Sequence, residues 1–147
     1  MDDVYFMRQA LLEAENAGTK GEVPVGAIIT IQNQIIARAH NLTEQLTDVT
    51  AHAEMQAFTS AAEYLGGKYL RDCTLYVTLE PCTMCAGAAF WTQIGRIVFG
   101  ASDTKRGFSL HKAKIIHPKT EIIGGILASE SAQLLSNFFI HKRGQSN

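Results

Sequence analysis

Apolar residues recur along the chain with two spacings, one typical of helices and the other of strands. Near the start, apolar residues three and four positions apart predict a helix over 3–17 that ends before Gly18. The β-rich runs 25–31 and 34–38 are separated only by Gln32 and Asn33, which predicts a hairpin. Further helices are predicted at 51–65, 82–92 and 129–141, and further strands at 74–79, 96–100 and 121–124.

The order of these elements is a helix, a hairpin, and then alternating helices and strands. Strands that alternate with helices pair in parallel, and the helices cover the faces of the sheet. We therefore expect an α/β protein, a three-layer α/β/α sandwich with a mostly parallel sheet and an antiparallel N-terminal hairpin. The helix over 82–92 is rich in alanine and almost without charge, so we expect it to be buried on all sides.

Length and composition limit the class of protein. With 147 residues, of which 46% are hydrophobic and 18% charged, we expect a single folded domain over residues 1–147. No apolar run approaches the roughly 20 residues that a membrane span requires. The acidic start has no feature of a targeting peptide, and three cysteines argue against a disulfide framework. We therefore expect a cytoplasmic protein.

The net charge of −1 conceals an asymmetry along the chain. Residues 1–95 contain five basic and eleven acidic residues, whereas residues 96–147 contain eight basic and three acidic residues. Between positions 104 and 119 there are two histidines, no acidic residue and five basic residues: Lys105, Arg106, Lys112, Lys114 and Lys119. Such a cluster could contact phosphates, but on charge alone a solvated loop is the simpler interpretation.

Two short segments carry candidate metal chemistry, and both begin predicted helices: His52-Ala53-Glu54 and Pro81-Cys82-Thr83-Met84-Cys85. Cys82 and Cys85 are three residues apart and therefore share a helix face, and a helix N-terminus favours thiolates. Two thiolates and one imidazole suit zinc, and three protein ligands leave the fourth position for water, as in catalytic sites. A carboxylate at Glu54, beside that water, is expected to carry protons.

Other interpretations of these residues remain open from spacing alone. The Cys-x-x-Cys pair could be a redox pair of the thioredoxin type. A closed structural zinc site would need a fourth ligand, for which Cys73, His40, His111 and His117 are candidates. Cys73 is more simply a small buried residue that opens a strand.

Three further residues near the segments have simpler roles. Glu80, directly before Pro81, is expected to cap or orient the turn rather than to form a catalytic pair. Phe90 and Trp91 could stack on bases, but their helix is so apolar that core or dimer contacts are the preferred interpretation.

The His-x-Glu and Pro-Cys-x-x-Cys segments together resemble the signature of the zinc-dependent cytidine and adenosine deaminases. Longer segments look like the bacterial tRNA wobble-adenosine deaminases within that superfamily, so the resemblance covers nearly the whole chain. These segments are GEVPVGA at 21–27, TAHAE at 50–54, TLEPCTMCAG at 78–87 and IGRIVFGA at 94–101, with a late GIL at 125–127 and FF at 138–139.

The resemblance implies a fold, a cofactor and a reaction. The fold would be a five-stranded sheet flanked by helices, in a homodimer whose subunits both border each RNA site. His52, Cys82 and Cys85 would hold one Zn²⁺ per subunit. Glu54 would pass a proton from the zinc-bound water to N1 of adenine and then to the leaving ammonia, which converts adenosine to inosine at the tRNA wobble position.

The resemblance also implies which residues contact the substrate. Asn41 would hold the flipped nucleotide, Val25 would line the base pocket, and the backbone N–H of Ala53 would contact the base. Asp103 would meet RNA beside the target nucleotide. Without the resemblance, Asn41 is a turn residue after the second strand, Asp103 is a loop-capping acid, and the other two are ordinary core residues.

An anticodon loop is single-stranded and can turn its bases outward, and the basic run beginning with Lys105 and Arg106 would then be a surface for RNA phosphates. Two alternatives remain. A guanine or nucleoside deaminase would share the same signature, but segment 21–25 and the basic run favour tRNA. A non-catalytic, zinc-stabilised RNA-binding module would have no need of Glu54.

Overall fold

The computed structural model describes residues 1–111 and 114–145, so Lys112 of the basic run lies outside the described residues. Every predicted helix and strand is present with the predicted type. The elements are α1 (Asp3–Thr19), β1 (Gly26–Ile31), β2 (Gln34–His40), α2 (Ala53–Leu65), β3 (Cys73–Leu79), α3 (Thr83–Thr92), β4 (Arg96–Ala101), β5 (Glu121–Ile123) and α4 (Ala128–Gln145). A short 3₁₀ turn, Phe108–Leu110, lies between β4 and β5.

The five strands form one sheet in the order β2-β1-β3-β4-β5. Strand β1 is antiparallel to both of its neighbours, and β3, β4 and β5 are parallel to one another. Gln32 and Asn33 connect the hairpin with positive φ angles of 50° and 61°, the left-handed conformation that two-residue hairpin turns use. The predicted five-stranded sheet and antiparallel hairpin are confirmed. The sheet is mixed, because β1 is also antiparallel to β3, and four of its five strands run in the same direction.

Helices cover both faces of the sheet because successive strand side chains point to opposite faces. Ile28 of β1 packs with α1 on one face, whereas its neighbour Ile29 packs with α2 and α3 on the other. Tyr76 and Val77 divide β3 in the same way. Helix α4 contacts α1 and β4, so it shares the face that α1 covers. These contacts define the predicted three-layer sandwich.

The first turn of α1 is tied to the middle of the sheet. Arg96 of β4 donates two hydrogen bonds to the Asp3 carboxylate, at 2.8 and 2.6 Å, and the Tyr76 hydroxyl donates a third at 2.8 Å. The bond from Arg96 lowers the pKa of Asp3, and burial raises the pKa of Tyr76 to about 12. Sequence separations of 73 and 93 residues make these contacts a direct link between α1, β3 and β4.

Helix α3 is not buried on all sides, so that expectation is wrong. Only Cys85, Ala86 and Ala89 are buried, along one stripe of the helix. The side chain of Trp91 is 76% exposed in the single chain, which excludes a core position for it. The absence of charge therefore does not reflect complete burial.

The strand directions gather several loops at one edge of the sheet. Strands β2, β3 and β4 end at this edge and β1 begins there, because β1 runs opposite to the others. Open α/β sheets bind ligands outside the carboxyl ends of their strands. No helix in the described ranges 1–111 and 114–145 has the length and apolar character needed to cross a membrane.

Candidate metal centre and active site

The metal-ligand residues lie at the N-termini of two helices. His52 is the N-cap of α2 and Cys82 is the N-cap of α3, both with extended backbone. Cys85 is the third residue of α3, and the side chains of the N-cap and third positions meet on the first turn of a helix. Both helix starts therefore present ligand atoms to one point, with their positive dipole ends towards it.

The distances between ligand atoms test whether one metal ion fits. His52 Nδ1 lies 3.6 Å from Cys82 Sγ and 3.4 Å from Cys85 Sγ. Zn–S bonds of about 2.3 Å and Zn–N bonds of about 2.0–2.1 Å at a tetrahedral angle separate S and N by about 3.5–3.6 Å. The three ligand atoms all lie within 4.8 Å of one another, so the donor set and its spacing fit one zinc ion.

The candidates for a fourth protein ligand do not join this group within the described part of the chain. His40 instead bonds through Nδ1 to Glu13 at 3.1 Å, and Cys73 is buried in the core as expected. His117 packs its ring against Phe90, with centroids 5.5 Å apart. The described residues therefore offer three ligands and no fourth protein ligand for a closed site. His52 lies close to both thiols, which favours a metal site over a redox pair of cysteines alone.

The electrostatics of the three ligands favour one thiolate even before a metal binds. A hydrogen bond from the Cys85 thiol, assisted by His52, lowers the pKa of Cys82 to about 4. That same bond and burial raise the pKa of Cys85. The hydrogen bond to Cys82 raises the pKa of His52. A coordinated metal ion deprotonates thiols outright, so zinc would convert Cys85 to a thiolate as well.

Glu54 follows His52 by two residues, in the first turn of α2. Its side chain is buried with 4% exposure and lines the same cavity as His52 and Cys82. Burial raises the pKa of this carboxyl group to about 7, and the nearby Cys82 charge acts in the same direction. A carboxyl group with this pKa can both accept and release a proton near neutral pH.

The cavity above the ligands has a volume of about 240 Å³, somewhat below the range of roughly 300–1,000 Å³ typical of ligand pockets. The substrate residues predicted from the resemblance all line it, together with Arg106, whereas Lys105 lies on the exposed surface beside it. The full lining is Val23, Val25, Asn41, Thr43, His52, Ala53, Glu54, Leu79, Glu80, Cys82, Asp103 and Arg106.

Asn41 and Asp103 also shape the loops that carry them. The Asn41 side-chain oxygen accepts the N–H of Thr43 at 3.3 Å, so it is a turn residue as well as a pocket residue. Asp103 Oδ1 accepts the N–H groups of Lys105 and Arg106, both at 3.0 Å, which makes it the loop-capping acid that the sequence suggests.

Two buried carboxylates hold the loops on either side of the cavity. Glu80 accepts the N–H groups of Asp103 at 3.1 Å and Ser109 at 2.9 Å, so its predicted role in orienting the turn is confirmed. Glu22, with 1% exposure, accepts the N–H groups of Glu44 at 3.0 Å and Gln45 at 2.7 Å. Sequence reasoning missed Glu22, and its only local signal is an isolated acid at the start of a β-rich apolar run.

Three zinc ligands with a proton-accepting carboxyl group beside them are typical of zinc-dependent hydrolytic enzymes. The family comparison narrows the class. The model of the cytidine and deoxycytidylate deaminase zinc-binding region matches residues 1–101, and the chain belongs to this family.

Some of the similar proteins are named for tRNA substrates and others for guanine. The chain is 45% identical to the tRNA-specific adenosine deaminase of Bacillus subtilis over 93% of this chain and 88% of the relative. It matches, with a TM-score of 0.84 and 43% identity, a structure from work on A-to-I editing by tRNA:A34 deaminases at the wobble position of transfer RNA, over 89% and 99% of the two chains. Guanine deaminase from Bacillus subtilis is similar at a TM-score of 0.68 and 36% identity, over 71% of this chain and 67% of that one.

Proposed function

We propose that this protein hydrolytically deaminates adenosine to inosine at the wobble position of tRNA anticodons. The observation that carries the proposal is the cavity of about 240 Å³ that Glu54 lines together with the ligands His52 and Cys82 and with Asn41, Val25 and Asp103. Its volume suits a single base rather than a longer stretch of nucleic acid. The greater similarity to tRNA-specific relatives than to the guanine deaminase supports the choice of substrate.

In this proposal His52, Cys82 and Cys85 hold one zinc ion in each subunit. When bound, zinc acts as a Lewis acid that lowers the pKa of a water molecule and makes it nucleophilic near neutral pH. The protein orients the three ligands through the two helix N-termini, whose dipoles also stabilise the thiolates.

Glu54 is the proposed proton carrier. Its carboxyl group takes a proton from the attacking water and delivers it to N1 of adenine as C6 is attacked. It then takes the proton of the new hydroxyl group on C6 and delivers it to the departing amine, so that the C6–N bond breaks, ammonia leaves and C6 becomes the carbonyl of inosine. The raised pKa of about 7 supports this role, because transfer in both directions requires similar proton affinities on the two sides.

The remaining pocket residues would hold the base and its neighbours. We assign Asn41 to the flipped nucleotide, the Val25 side chain to one face of the base, and the backbone N–H of Ala53 to its edge. Asp103 and Arg106 also line the cavity and would meet the flanking RNA, where Arg106 and the exposed Lys105 would each contact a phosphate. An anticodon loop suits this arrangement because its bases are already single-stranded.

The proposal includes a homodimer in the cytoplasm. Trp91 is 76% exposed on an uncharged helix, and a second copy of the chain would cover this apolar surface. A cytoplasmic setting keeps zinc-ligating thiols reduced. Sedimentation of the zinc-loaded protein gives its oligomeric state, and a monomer at micromolar concentration would contradict this part of the proposal.

The test is base conversion by the purified, zinc-loaded protein. Synthetic anticodon stem-loops with adenosine at the wobble position should yield inosine and ammonia, whereas stem-loops with cytidine or guanosine there should not react. Free guanine, offered in parallel, tests the alternative function, and activity on guanine alone would overturn the proposal.

A further inference from the structure

Glu80 occupies the short connection between β3 and α3, two residues before the metal ligand Cys82. Its side chain is 2% exposed, so it lies inside the protein although it carries an acidic group. No salt bridge joins it to a cation within the described ranges. Buried acidic groups need other partners, and here both carboxylate oxygens accept backbone N–H groups.

The backbone N–H groups that bind Glu80 come from the two ends of one loop, residues 102–109. Oε1 accepts the N–H of Asp103, where the loop leaves β4, and Oε2 accepts the N–H of Ser109, where it returns. Gly107 packs directly against the carboxyl group, and a Cβ atom at this position would overlap it. The loop is therefore wrapped around Glu80.

The same loop is also attached to the turn that carries the metal ligands. Phe108 donates its N–H to the carbonyl of Pro81 at 3.0 Å, and Gly107 forms an isolated β-bridge with Cys82. Glu80 in turn donates its own N–H to the carbonyl of Ala101 at 2.8 Å. These bonds fix the loop with respect to the metal turn.

Asp103 links Glu80 to the backbone of the two basic residues. The N–H of Asp103 binds Glu80, and its side chain accepts the N–H groups of Lys105 and Arg106 at 3.0 Å. Arg106 then lines the cavity above the metal ligands. A change at Glu80 would therefore move both basic residues together.

We propose that Glu80 is a positioning residue for RNA binding: its buried carboxylate fixes loop 102–109 so that Lys105 and Arg106 face the RNA at the mouth of the active site. This inference rests on the proposed function, because it assigns the loop to RNA. It separates the role of Glu80 from that of Glu54, which acts on the base itself. Glu80 contributes to substrate affinity, and the chemical step does not pass through it.

The first test measures the loop directly, without any substrate. In the zinc-loaded Glu80→Gln protein, one carboxylate oxygen becomes an amide NH₂ that cannot accept a hydrogen bond. Amide hydrogen exchange at Asp103 or Ser109 should become at least about tenfold faster than in the wild type. Unchanged exchange at both amides would overturn the inference.

The second test measures the consequence for RNA. With an anticodon stem-loop, Glu80→Gln should raise KM by about tenfold and change kcat by less than about threefold, with zinc content unchanged. The dependence of log KM on log salt should become shallower, by about 0.7 for each RNA phosphate that the displaced loop no longer neutralises. An unaltered KM and salt dependence, or a loss of zinc, would contradict a role in RNA positioning.

Glu22→Gln is the matched control. Glu22 is equally buried and also accepts two backbone N–H groups, but the loop that it holds contains no lysine or arginine between positions 41 and 50. Its substitution should leave the salt dependence at the wild-type value. An equal flattening in Glu22→Gln would show a general loosening of the pocket and would overturn the specific role of Glu80.

Gly107→Ala provides a second route if Glu80→Gln does not fold. The added Cβ would overlap the Glu80 carboxyl group and displace the same loop while Glu80 remains. It should also raise KM and flatten the salt dependence, and a wild-type salt response would count against the inference. If the wild-type protein converts no stem-loop, the proposed function fails, while amide exchange still decides whether Glu80 holds the loop.

Discussion

At the scale of single residues, Glu54 carries the proposed chemistry, and its replacement separates catalysis from metal binding. Glu54→Ala should keep its zinc, because the three metal ligands are unchanged, and should lose turnover by roughly 10²–10⁴-fold, the usual contribution of a general acid–base. Metal analysis and single-turnover inosine formation measure the two effects. Glu63→Ala, at an exposed position of the same helix, is the control and should retain full activity. Normal deamination by Glu54→Ala would show that the mechanism is wrong.

The cysteines allow a matched comparison, because the chain has three free thiols in two environments. Cys82→Ser or Cys85→Ser removes a soft ligand and should leave far less than one zinc ion per chain after dialysis. Cys73→Ser alters a thiol that is 2% exposed in the core, outside the metal group, so it should keep its zinc while losing some stability. Full zinc occupancy in the first two variants would mean that the ligands are misassigned.

Single residues also show what the sequence could not predict. Spacing marks His52, Cys82 and Cys85 as candidate ligands, because local helix geometry brings the ligands of each segment to a helix start. That the two segments meet at one point is a tertiary property. The role of Glu22 and the place of Arg106 in the cavity wall depend on contacts between segments that are distant in the sequence. An example is the pair of hydrogen bonds that Glu22 accepts from the N–H groups of Glu44 and Gln45. No local pattern records such contacts.

At the scale of elements, the contact between Asp3 of α1 and Arg96 of β4 predicts a pH-dependent contribution to stability. The pKa of Asp3 is lowered in the folded protein, so its contribution is present above the unfolded pKa of about 3.8 and disappears as the pH falls through the folded pKa. Asp3→Asn should reduce the free energy of unfolding at pH 7 by about 1 kcal/mol, since the pair is partly exposed.

Urea unfolding at several pH values checks this prediction. The difference between Asp3→Asn and the wild type should shrink as the pH falls below 4, because the wild-type carboxylate then becomes protonated as well. Glu15→Gln, at an exposed position of the same helix, should show no such convergence. A difference that stays constant down to pH 2 would contradict the prediction.

Elements with strong local sequence signals, such as a helix stop or a hairpin turn, were predicted correctly, and each of these signals has a physical cause. Gly66 ends α2 in the left-handed conformation at φ 67°, and the Gln32-Asn33 turn closes the hairpin as its length requires. The error for α3 has a different origin. Alanine-rich composition indicates close packing on one side, where Cys85 and Ala89 lie, but does not indicate how many sides are covered, so the exposure of Trp91 was missed.

At the scale of the whole molecule, the fold places the charge asymmetry of the chain next to the cavity. The acidic residues concentrate in residues 1–95, whereas the loop after β4 carries Lys105 and Arg106 to the edge of the sheet where the metal ligands lie. The sequence showed the basic run but not its position, because the strand order that brings β4 beside β3 is a tertiary property. That position is the reason for proposing that this loop contacts RNA phosphates.

The charge arrangement leads to a prediction on salt dependence. Lys105→Ala/Arg106→Ala should weaken stem-loop binding at low salt and make the slope of log Kd against log salt shallower by about 1.4, the value for two phosphate contacts on single-stranded RNA. Zinc content should remain at the wild-type level. Lys68→Ala is the control, because Lys68 is exposed between α2 and β3, at the end of β3 away from the cavity, and should not alter the slope. Equal slopes for the double variant and the wild type would mean that this loop is a solvated surface and that RNA phosphates bind elsewhere.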